Sequence, residues 1–307
     1  MNIPILEVRD LVKEYTSPLG FLNPRSTPVK ALQGISFQLN QGETLGLIGE
    51  SGCGKSTLGR CILRMIEPTN GNIFFKGEDI SKHKPQQMKP LRRKMQIIFQ
   101  DPYSSLNPRM KISQMLEEPL LIHDLYPHRA QRTKRIKELL DIVGLPADCG
   151  HKYAHEFSGG QRQRIGIARA LAVEPELIVC DEPVSALDVS IQAQIINLLM
   201  DLQKQLRLSY LFIAHDLRVV EHISHRVAVM YLGKIVELAS SDNIFTHPQH
   251  PYTQALLSAT PNTDPNKKKN RIVLEGDVPS VTERCKTNSP LLTHTRPDHQ
   301  SACWLRI

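Results

Sequence analysis

The chain has 307 residues, of which 40% are hydrophobic, so it can bury a sizeable core in one large domain or two smaller ones. Its formal net charge is +7, but the basic residues form short local runs without a base-reading module or aromatic platform, which argues against nucleic-acid binding. No apolar run approaches the roughly 20 residues of a membrane span, which argues against an integral membrane protein.

The first predicted elements are two strands of an antiparallel sheet. Ile5 to Tyr15 and Val29 to Leu39 show strand patterns, and the proline-containing stretch between them, residues 17–28, is expected to be a loop. The N-terminus lacks the basic and apolar regions of a secretory signal. Because the six cysteines also show no paired spacing, we expect a protein of the reducing cytosol.

A phosphate-binding loop is predicted after the next strand. The apolar run Thr44–Ile48 is typical of a buried strand, and a match to G-x-x-x-x-G-K-S/T follows it. The matching residues are Gly49, Glu50, Ser51, Gly52, Cys53, Gly54, Lys55, Ser56 and Thr57. Glycines allow backbone N–H groups to surround phosphate oxygens, Lys55 supplies positive charge, and Ser56 can offer a hydroxyl to Mg²⁺. A glycine-rich turn is the alternative, but the order of strand, loop and helix favours an ATP site.

The segment that follows changes from a strand to helices. Gln100 ends the apolar run Met95–Phe99, and its amide could sense the γ-phosphate, bind the metal, or simply cap the strand. From Pro102 to about Phe157 the pattern is helical, although Asp101–Arg109 has two prolines and is expected to be an ordered loop. One apolar stripe on a basic helix consists of residues at i, i+3, i+4 and i+7: Ile136, Leu139, Leu140 and Val143.

A second anion-binding element is predicted near the end of this region. Its residues are Phe157, Ser158, Gly159, Gly160 and Gln161. They offer backbone N–H groups ahead of a helix that is predicted over Gln161–Val173, and a helix N-terminus favours an anion.

Polar residues also end the last two apolar runs. Leu177–Cys180 is typical of a central parallel strand and is followed by the adjacent carboxylates Asp181 and Glu182. Burying two carboxylates is costly unless a cation offsets the charge, so we expect Asp181 to hold Mg²⁺ through water and Glu182 to act as general base. A solvated acidic turn is the alternative. His215 follows Tyr210–Ala214, a position that predicts contact with the γ-phosphate, although a lone histidine is more often structural.

In this order, the motifs make the chain resemble the nucleotide-binding subunits of ABC transporters, from about Ile5 to about Pro261. The segments that match are Tyr15, Gly49 to Thr57, Gln100, Phe157 to Gln161, Leu177 to Glu182, Ser185 to Asp188, and His215. The resemblance implies an α/β fold, a P-loop NTPase (RecA-like) core with an antiparallel β subdomain and an α-helical signature subdomain at about residues 101–160. It also implies that an ATP-binding domain over residues 1–261 hydrolyses ATP with Mg²⁺.

The resemblance assigns roles to individual residues. Those implied in catalysis are Glu182, His215 and Gln100, and those implied in Mg²⁺ binding are Ser56, Gln100 and Asp181. Those implied to act on ATP held by a partner subunit are Ser158, Gly159, Gly160, Gln161 and, in the D-loop, Asp188. Tyr15 would stack on adenine, although a tyrosine at a strand end is otherwise an ordinary surface aromatic. The family usually has leucine in place of Phe157, a departure we expect to be harmless because Ser158 and the glycines make the phosphate contacts.

Two strings narrow the resemblance to importers of dipeptides, oligopeptides and related cargo such as nickel. They are Asp101–Arg109 and Asn243–Leu257, which contains a His-Pro-Tyr run at residues 250–252. The insertion at residues 17–28 and the phrase Glu43–Gly49 look more like the F-type of the two paired ATPases. The resemblance therefore implies a heterodimer with a sister ATPase, two transmembrane permease subunits and, indirectly, a substrate-binding protein, at the cytoplasmic side of the inner membrane. No nucleic-acid partner is expected.

The C-terminal extension, residues 262–307, departs from the family. Its first part, Asn262 to Arg271, is polar and lysine-rich and is expected to be a linker. Many relatives carry four cysteines here that can hold an iron–sulfur cluster, but only Cys285 and Cys303 match, and two thiolates cannot supply four ligands. Zinc bound by these cysteines with His294 and His299 is the alternative, which no close C-x-x-C pair supports. We expect a metal-free tail.

Three classes of function fit some of these features. The leading hypothesis is an ATPase that powers peptide uptake by a membrane ABC importer, with nickel or haem as alternative cargo. A soluble ABC ATPase acting on nucleic acid would normally need a long coiled-coil insertion or tandem cassettes, whereas this chain has one phosphate loop and one signature. A nucleotide kinase or P-loop regulator would need neither Gln100 nor the element at Ser158–Gln161.

Overall fold

Residues 3–15, 28–259, 290–296 and 298–303 are described by a computed structural model of the chain. The predicted loop at residues 17–28, apart from Pro28, the lysine-rich linker and Cys285 lie outside these residues. The strands are β1 (Leu6–Tyr15), β2 (Val29–Leu39), β3 (Thr44–Ile48), β4 (Asn70–Phe75), β5 (Glu78–Asp79), β6 (Met95–Ile98), β7 (Leu177–Asp181), β8 (Ser209–Ile213), β9 (Arg226–Tyr231), β10 (Lys234–Ser240), β11 (Thr293–Arg296) and β12 (His299–Ser301). The helices are α1 (Lys55–Ile62), α2 (Pro85–Lys94), α3 (Pro102–Ser105), α4 (Ile112–Ile122), α5 (Arg129–Ile142), α6 (Gly159–Leu171), α7 (Val189–Leu206), α8 (Leu217–Ile223), α9 (Ser241–Thr246) and α10 (Pro251–Ser258).

The N-terminal strands belong to an antiparallel sheet with the order β2-β1-β4-β5. Leu6 pairs with Leu39 at one end of β1, and Tyr15 pairs with Val29 at the other. β4 lies on the opposite side of β1 and is also antiparallel to it. The prediction of an antiparallel sheet from the first two strands is confirmed.

A larger sheet has the order β11-β12-β10-β9-β3-β8-β7-β6. β3 is parallel to both of its neighbours, β8 and β9, and β7 is parallel to β8 and β6. Every residue of β3, β7 and β8 is buried, as expected for parallel strands that are covered on both faces. The carboxyl ends of these strands meet at one edge of the sheet, which is where such folds bind ligands. The predicted α/β fold class with a P-loop core is therefore confirmed.

Two hydrophobic clusters cover the two faces of the larger sheet. Val179 and Leu211 belong to the cluster that contains the apolar residues of the antiparallel sheet and of α1. Ile178 and Phe212 belong to the cluster that contains the apolar residues of α6 and α7. Because alternate residues of a strand point to opposite faces, the side chains of the short apolar strands β7 and β8 pack against the layers on both faces of the sheet.

The region between β6 and β7 is helical, as predicted. It contains α3 to α6 and two short 3-10 turns, Ala147–His151 and Ala154–Glu156. The predicted apolar stripe is buried: Ile136, Leu139, Leu140 and Val143. Within the described ranges, no helix is both long and apolar enough to cross a bilayer.

The loop prediction for Asp101–Arg109 is wrong in its first part, because residues 102–105 form α3. The Asp101 carboxylate accepts a hydrogen bond from the backbone N–H of Tyr103 at 2.8 Å, and a proline occupies the first helical position. An aspartate cap followed by proline is a strong helix start, and here it outweighs the turn-forming residues that follow.

Candidate functional site

The phosphate loop joins β3 to α1 through residues with left-handed backbone conformations. Gly54 has a φ of 108° immediately before the first residue of α1, and a side chain there would collide with a neighbouring backbone carbonyl. Gly52 has a φ of 83°, and a Cβ added there would meet no described atom within 4 Å. Lys55 is buried and folds back over the loop, donating hydrogen bonds to the carbonyl oxygens of Gly49 at 2.7 Å and Glu50 at 2.8 Å.

A cavity of about 330 Å³ opens over this loop. It is lined by Ala31, Ser51, Gly52, Gly54, Lys55, Ser56, Thr57, Gln100, Glu182 and His215. Apart from Ala31, each is predicted from the sequence to bind ATP or to act on it. The other predicted loop residues, Gly49, Glu50 and Cys53, belong to the same loop without lining the cavity. The cavity thus connects the phosphate loop to the ends of β6, β7 and β8.

Ser56 and Asp181 form the part of this site that fits Mg²⁺. The Ser56 hydroxyl donates a hydrogen bond to Oδ1 of Asp181 at 2.7 Å, and Asp181 is 3% exposed. Burial raises the pKa of Asp181 above its ordinary value, and the hydrogen bond from Ser56 opposes that rise. A buried carboxylate beside a hydroxyl oxygen offers the hard ligands that Mg²⁺ prefers.

Glu182, Gln100 and His215 lie together at the rim of the cavity. Oε2 of Glu182 accepts a hydrogen bond from Nε2 of Gln100 at 3.0 Å, and Nδ1 of His215 lies 3.2 Å from the same oxygen. This second contact is a hydrogen bond in the tautomer that carries its proton on Nδ1. Glu182 has a φ of 49°, a strained conformation for a residue with a side chain, and such strain is concentrated at functional sites. The structure therefore brings the three residues predicted to be catalytic into contact.

The second anion-binding element, Phe157–Gln161, is called the signature segment and lies at the exposed N-terminus of α6. Ser158 and Gln161 form a capping box, in which the Gln161 N–H donates to Oγ of Ser158 at 3.3 Å and the Ser158 N–H donates to Oε1 of Gln161 at 3.0 Å. This cap explains why α6 begins at Gly159, two residues before the predicted start. Gly160 is buried, and a Cβ there would lie 2.5 Å from Cγ2 of Ile191 in α7.

The D-loop, residues Ser185–Asp188, lies between the carboxyl end of β7 and the start of α7. Ser185 donates a hydrogen bond from its hydroxyl to the backbone oxygen of Glu182 at 3.1 Å. Asp188 precedes α7 without a side-chain capping bond, and the next residue, Val189, is 82% exposed. Leu187 packs beside Gly159, so the D-loop and the signature segment are neighbours within one chain.

Tyr15 stays outside the phosphate cavity. It is the last residue of β1 and is 40% exposed. The ammonium of Lys13 lies over its ring, 4.9 Å from the ring centroid, in a cation–π contact. Adenine stacking on this ring is neither supported nor opposed by these contacts and stays a prediction.

Arg162 is a structural element of the signature region that the sequence patterns did not single out. This buried arginine donates from Nε to the carbonyl oxygen of Ala154 at 2.7 Å, and its guanidinium lies 3.6 Å from the centroid of the Tyr103 ring. It thereby ties α6 to α3, the helix that follows Gln100. The sequence signal is an arginine one turn into α6, with a second arginine, Arg169, on the same helix face at i+7.

The described part of the tail forms a hairpin, β11–β12, that extends the larger sheet beside β10. His299 is fully buried, with Nε2 lying 2.6 Å from a carboxylate oxygen of Glu237, whereas His294 contacts the side chain of Gln300. The two histidines of the zinc alternative thus have separate partners. No group of three or more possible metal-binding His, Cys, Asp and Glu residues occurs among the residues that the structure describes.

Comparisons with protein families give two matches. Residues 32–185 match the family described as ABC transporter. Residues 236–287 match the family described as oligopeptide/dipeptide transporter, C-terminal region. The first match contains the phosphate loop, the signature segment and both carboxylates, and the second contains the His-Pro-Tyr run.

Curated relatives cover nearly the whole chain. The Dipeptide transport ATP-binding protein DppF of Escherichia coli (strain K12) is 54% identical over 278 residues, which are 90% of this chain and 82% of that protein. The Oligopeptide transport ATP-binding protein OppF of Bacillus subtilis (strain 168) is 50% identical over 304 residues, 99% of this chain and 97% of that protein.

Solved structures with the same fold are ATP-binding cassettes. CbiO1 of Clostridium perfringens, part of the ABC transporter complex cbiONQ, aligns with a TM-score of 0.69 and 27% identity over 80% of this chain and 92% of its own. The cassette MJ0796, a dimer in a post-hydrolysis state with ADP and Pi, aligns with a TM-score of 0.67 and 26% identity over 77% of this chain and 98% of its own.

Proposed function

The chain belongs to the family of ABC transporter ATP-binding proteins, and from this premise we propose that it is the ATPase subunit that powers a membrane importer of dipeptides or oligopeptides. The observation that carries the cargo class is the match of residues 236–287 to the C-terminal region of oligopeptide and dipeptide transporters. In this proposal, residues 1–261 form the ATP-binding domain, with a helical subdomain at about residues 101–160, and residues 262–307 form the extension.

The residues of the cavity supply the chemistry of ATP hydrolysis. Lys55 already places its ammonium inside the phosphate loop, where it would exchange carbonyl partners for phosphate oxygens. Glu182 would accept the proton of the attacking water, and Gln100 orients its carboxylate before ATP arrives. His215 lines the same cavity and would contact the γ-phosphate from the end of β8.

Mg²⁺ fits the oxygen ligands at the base of the cavity. Ser56 and Asp181 would hold it, with the amide oxygen of Gln100 as a further ligand. The raised pKa of Asp181 reflects the cost of a buried carboxylate, and a bound cation would offset that cost. When bound, the ion would neutralise the charge that develops on the phosphate oxygens.

The exposed signature segment leads us to propose a dimeric ATP site. The chain's own cavity is not lined by any residue of the signature segment. In this proposal the segment acts on ATP held by a sister subunit, through Ser158, Gly159, Gly160 and Gln161, with Asp188 beside them. The relatives named DppF and OppF favour the F-type position in a heterodimer. We further propose that the pair binds two permease subunits, peripherally at the cytoplasmic side of the inner membrane, and acts indirectly with a substrate-binding protein.

Purification of the tagged full-length chain from detergent-solubilised membranes tests this proposal. Mass spectrometry is expected to identify a second ATPase and two multi-span membrane proteins, and peptide cargo with its binding protein is expected to stimulate ATP hydrolysis by the complex. The matched control is the same complex carrying Glu182→Gln, which should assemble but lose hydrolysis at the ATP site that this chain holds.

Other results would redirect the proposal. Stimulation by nickel or haem, but not by peptides, would contradict the peptide cargo while leaving the ATPase role intact. Recovery of nucleic acid without membrane subunits would contradict the importer itself.

A further inference from the structure

Tyr252 contacts the phosphate loop from a region that is remote in sequence. Its hydroxyl oxygen accepts a hydrogen bond from the backbone N–H of Glu50 at 3.0 Å, and its side chain is 3% exposed. The carbonyl oxygen of Glu50 accepts a hydrogen bond from the Lys55 ammonium at 2.8 Å. Glu50 therefore has both polar backbone groups fixed, one by the lysine of the loop and the other by a tyrosine of α10.

The ring and backbone of Tyr252 are themselves held in place. The ring packs on that of Tyr231, at the end of β9, with 4.3 Å between the ring centroids. The backbone N–H of Tyr252 donates to Nδ1 of His250, the residue that caps α10. A buried aromatic ring with a fixed backbone has little freedom, so the position of its hydroxyl is well defined.

A buried carboxylate anchors the start of α10. Glu237, on β10, is fully buried and accepts hydrogen bonds from the backbone N–H groups of Gln249 at 2.7 Å and His250 at 3.0 Å. Nε2 of the fully buried His299 lies 2.6 Å from the same carboxylate. Because a buried carboxylate is tolerated only with such partners, the hairpin β11–β12, β10 and α10 form one connected unit.

We propose that Tyr252 is a positioning residue for the phosphate loop. Its hydroxyl holds the Glu50 peptide so that the loop keeps the shape that binds the phosphates of ATP, and the pair of Glu237 and His299 holds α10 in the position this requires. Tyr252 does not line the cavity and so acts through the loop. The inference rests on the ATP-binding function proposed above and adds that the C-terminal region sets nucleotide affinity.

Tyr252→Phe tests the hydroxyl while it keeps the ring. Loss of the bond leaves the Glu50 N–H without its partner, so the Kd for ATP and the KM are expected to rise about three- to tenfold with little change in kcat. The Kd is measured by titrating the full-length chain with a fluorescent ATP analogue and by competition with ATP. KM and kcat are measured on the assembled ATPase complex.

Tyr210→Phe is the matched control. Tyr210 is also buried, and its hydroxyl donates to the carbonyl oxygen of Leu199 at 3.0 Å, away from the phosphate loop. This variant is expected to lower the melting temperature and to leave ATP affinity unchanged. Equal ATP affinity of Tyr252→Phe and wild type, or equal losses in the two variants, overturns the proposal. ATP binding by Lys55→Ala that matches wild type would instead overturn the ATP site itself.

The anchor is tested at His299. His299→Leu removes the donor to Glu237 and is expected to weaken ATP binding, whereas His299→Gln can still donate and should restore most of the affinity. If His299 acts through Tyr252, the double variant His299→Leu, Tyr252→Phe should have a Kd for ATP no higher than that of the single variant with the lower affinity. Fully additive losses would overturn the anchoring role.

Discussion

The phosphate loop and the signature segment are both glycine-containing starts of helices, but the chain encloses only the first of them. Lys55 and Asp181 are 5% and 3% exposed, and the side chains around them meet in one cavity. Ser158 and Gln161 are exposed and cap each other. Both segments thus present N–H groups at a helix N-terminus, but those of the phosphate loop face the enclosed cavity and those of the signature segment face the surface.

This difference means that the phosphate loop and the signature segment place different requirements on the sequence. The enclosed loop needs partners from β6, β7 and β8, so substitutions there should change events within one chain. The exposed segment needs only a stable helix start and packing beneath it, so substitutions on its outer side should leave ATP binding by the isolated chain unaffected. The following variants test this contrast, in order of decreasing expected effect.

Glu182→Gln should have the largest effect on the enclosed half. The amide cannot accept the proton of water, so hydrolysis at the ATP site of this chain should fall by on the order of 100-fold or more while ATP binding persists and a closed dimer accumulates. Phosphate release and size-exclusion chromatography with ATP measure the two effects. Near-normal turnover would remove Glu182 from the role of base.

Ser158→Arg should separate the two halves most clearly. Because Ser158 is exposed, ATP binding to the isolated chain should stay close to wild type, whereas hydrolysis by the assembled pair should fall to the level of a single remaining site or lower. Equal hydrolysis by variant and wild-type complexes would refute the shared site. The corresponding change in the sister subunit shows how much activity that remaining site supplies.

Gly160→Ala should destabilise the packing beneath the signature segment. The new methyl would lie 2.5 Å from Ile191, and overpacking of this kind costs about 1–3 kcal/mol. Gly166→Ala in the same helix is the control, because its added Cβ would meet nothing within 4 Å apart from its chain neighbours and the helix's own backbone, and it should stabilise α6 by up to about 1 kcal/mol. Thermal or urea unfolding compares the two, and equal effects would contradict the packing argument.

Phe157→Leu should have the smallest effect. The Phe157 side chain is 7% exposed and packs in the hydrophobic cluster of α6, so the leucine that is usual in the family should reduce the free energy of unfolding by less than about 1.5 kcal/mol. Hydrolysis by the complex should be unchanged. A large loss of activity would assign Phe157 a direct part in the shared site.

The sequence predicts strands and helices correctly where the local hydrophobic pattern agrees with burial in the fold. β3 has the predicted bounds, Thr44–Ile48, because five consecutive residues of a central parallel strand are buried on both faces. The apolar stripe of α5 is buried for a similar reason, since its helical spacing leaves only one possible inner face. Phosphate-loop residues are also predictable, because their glycine and lysine spacing follows from the shape of the ligand.

Contacts that depend on strand order could not be predicted in this way. The bond between Gln100 and Glu182 exists because β6 lies next to β7, although 82 residues separate the two side chains. The contact of Tyr252 with the loop spans 202 residues and uses a hydroxyl in a segment that reads only as a short helix. The start of α3 is not predicted for a local reason, because the turn-forming residues near it favour a loop over a helix with an aspartate cap.

The position of β3 between β8 and β9 has a consequence for biosynthesis. The strand that carries the phosphate loop leaves the ribosome early, but it pairs with strands that begin at Ser209 and Arg226. Until those strands have been made, β3 has no neighbours in its sheet, and the loop cannot take its final shape. A nascent chain that stalls before residue 209 should therefore be unable to bind ATP, so nucleotide cannot assist folding until most of the protein has been translated.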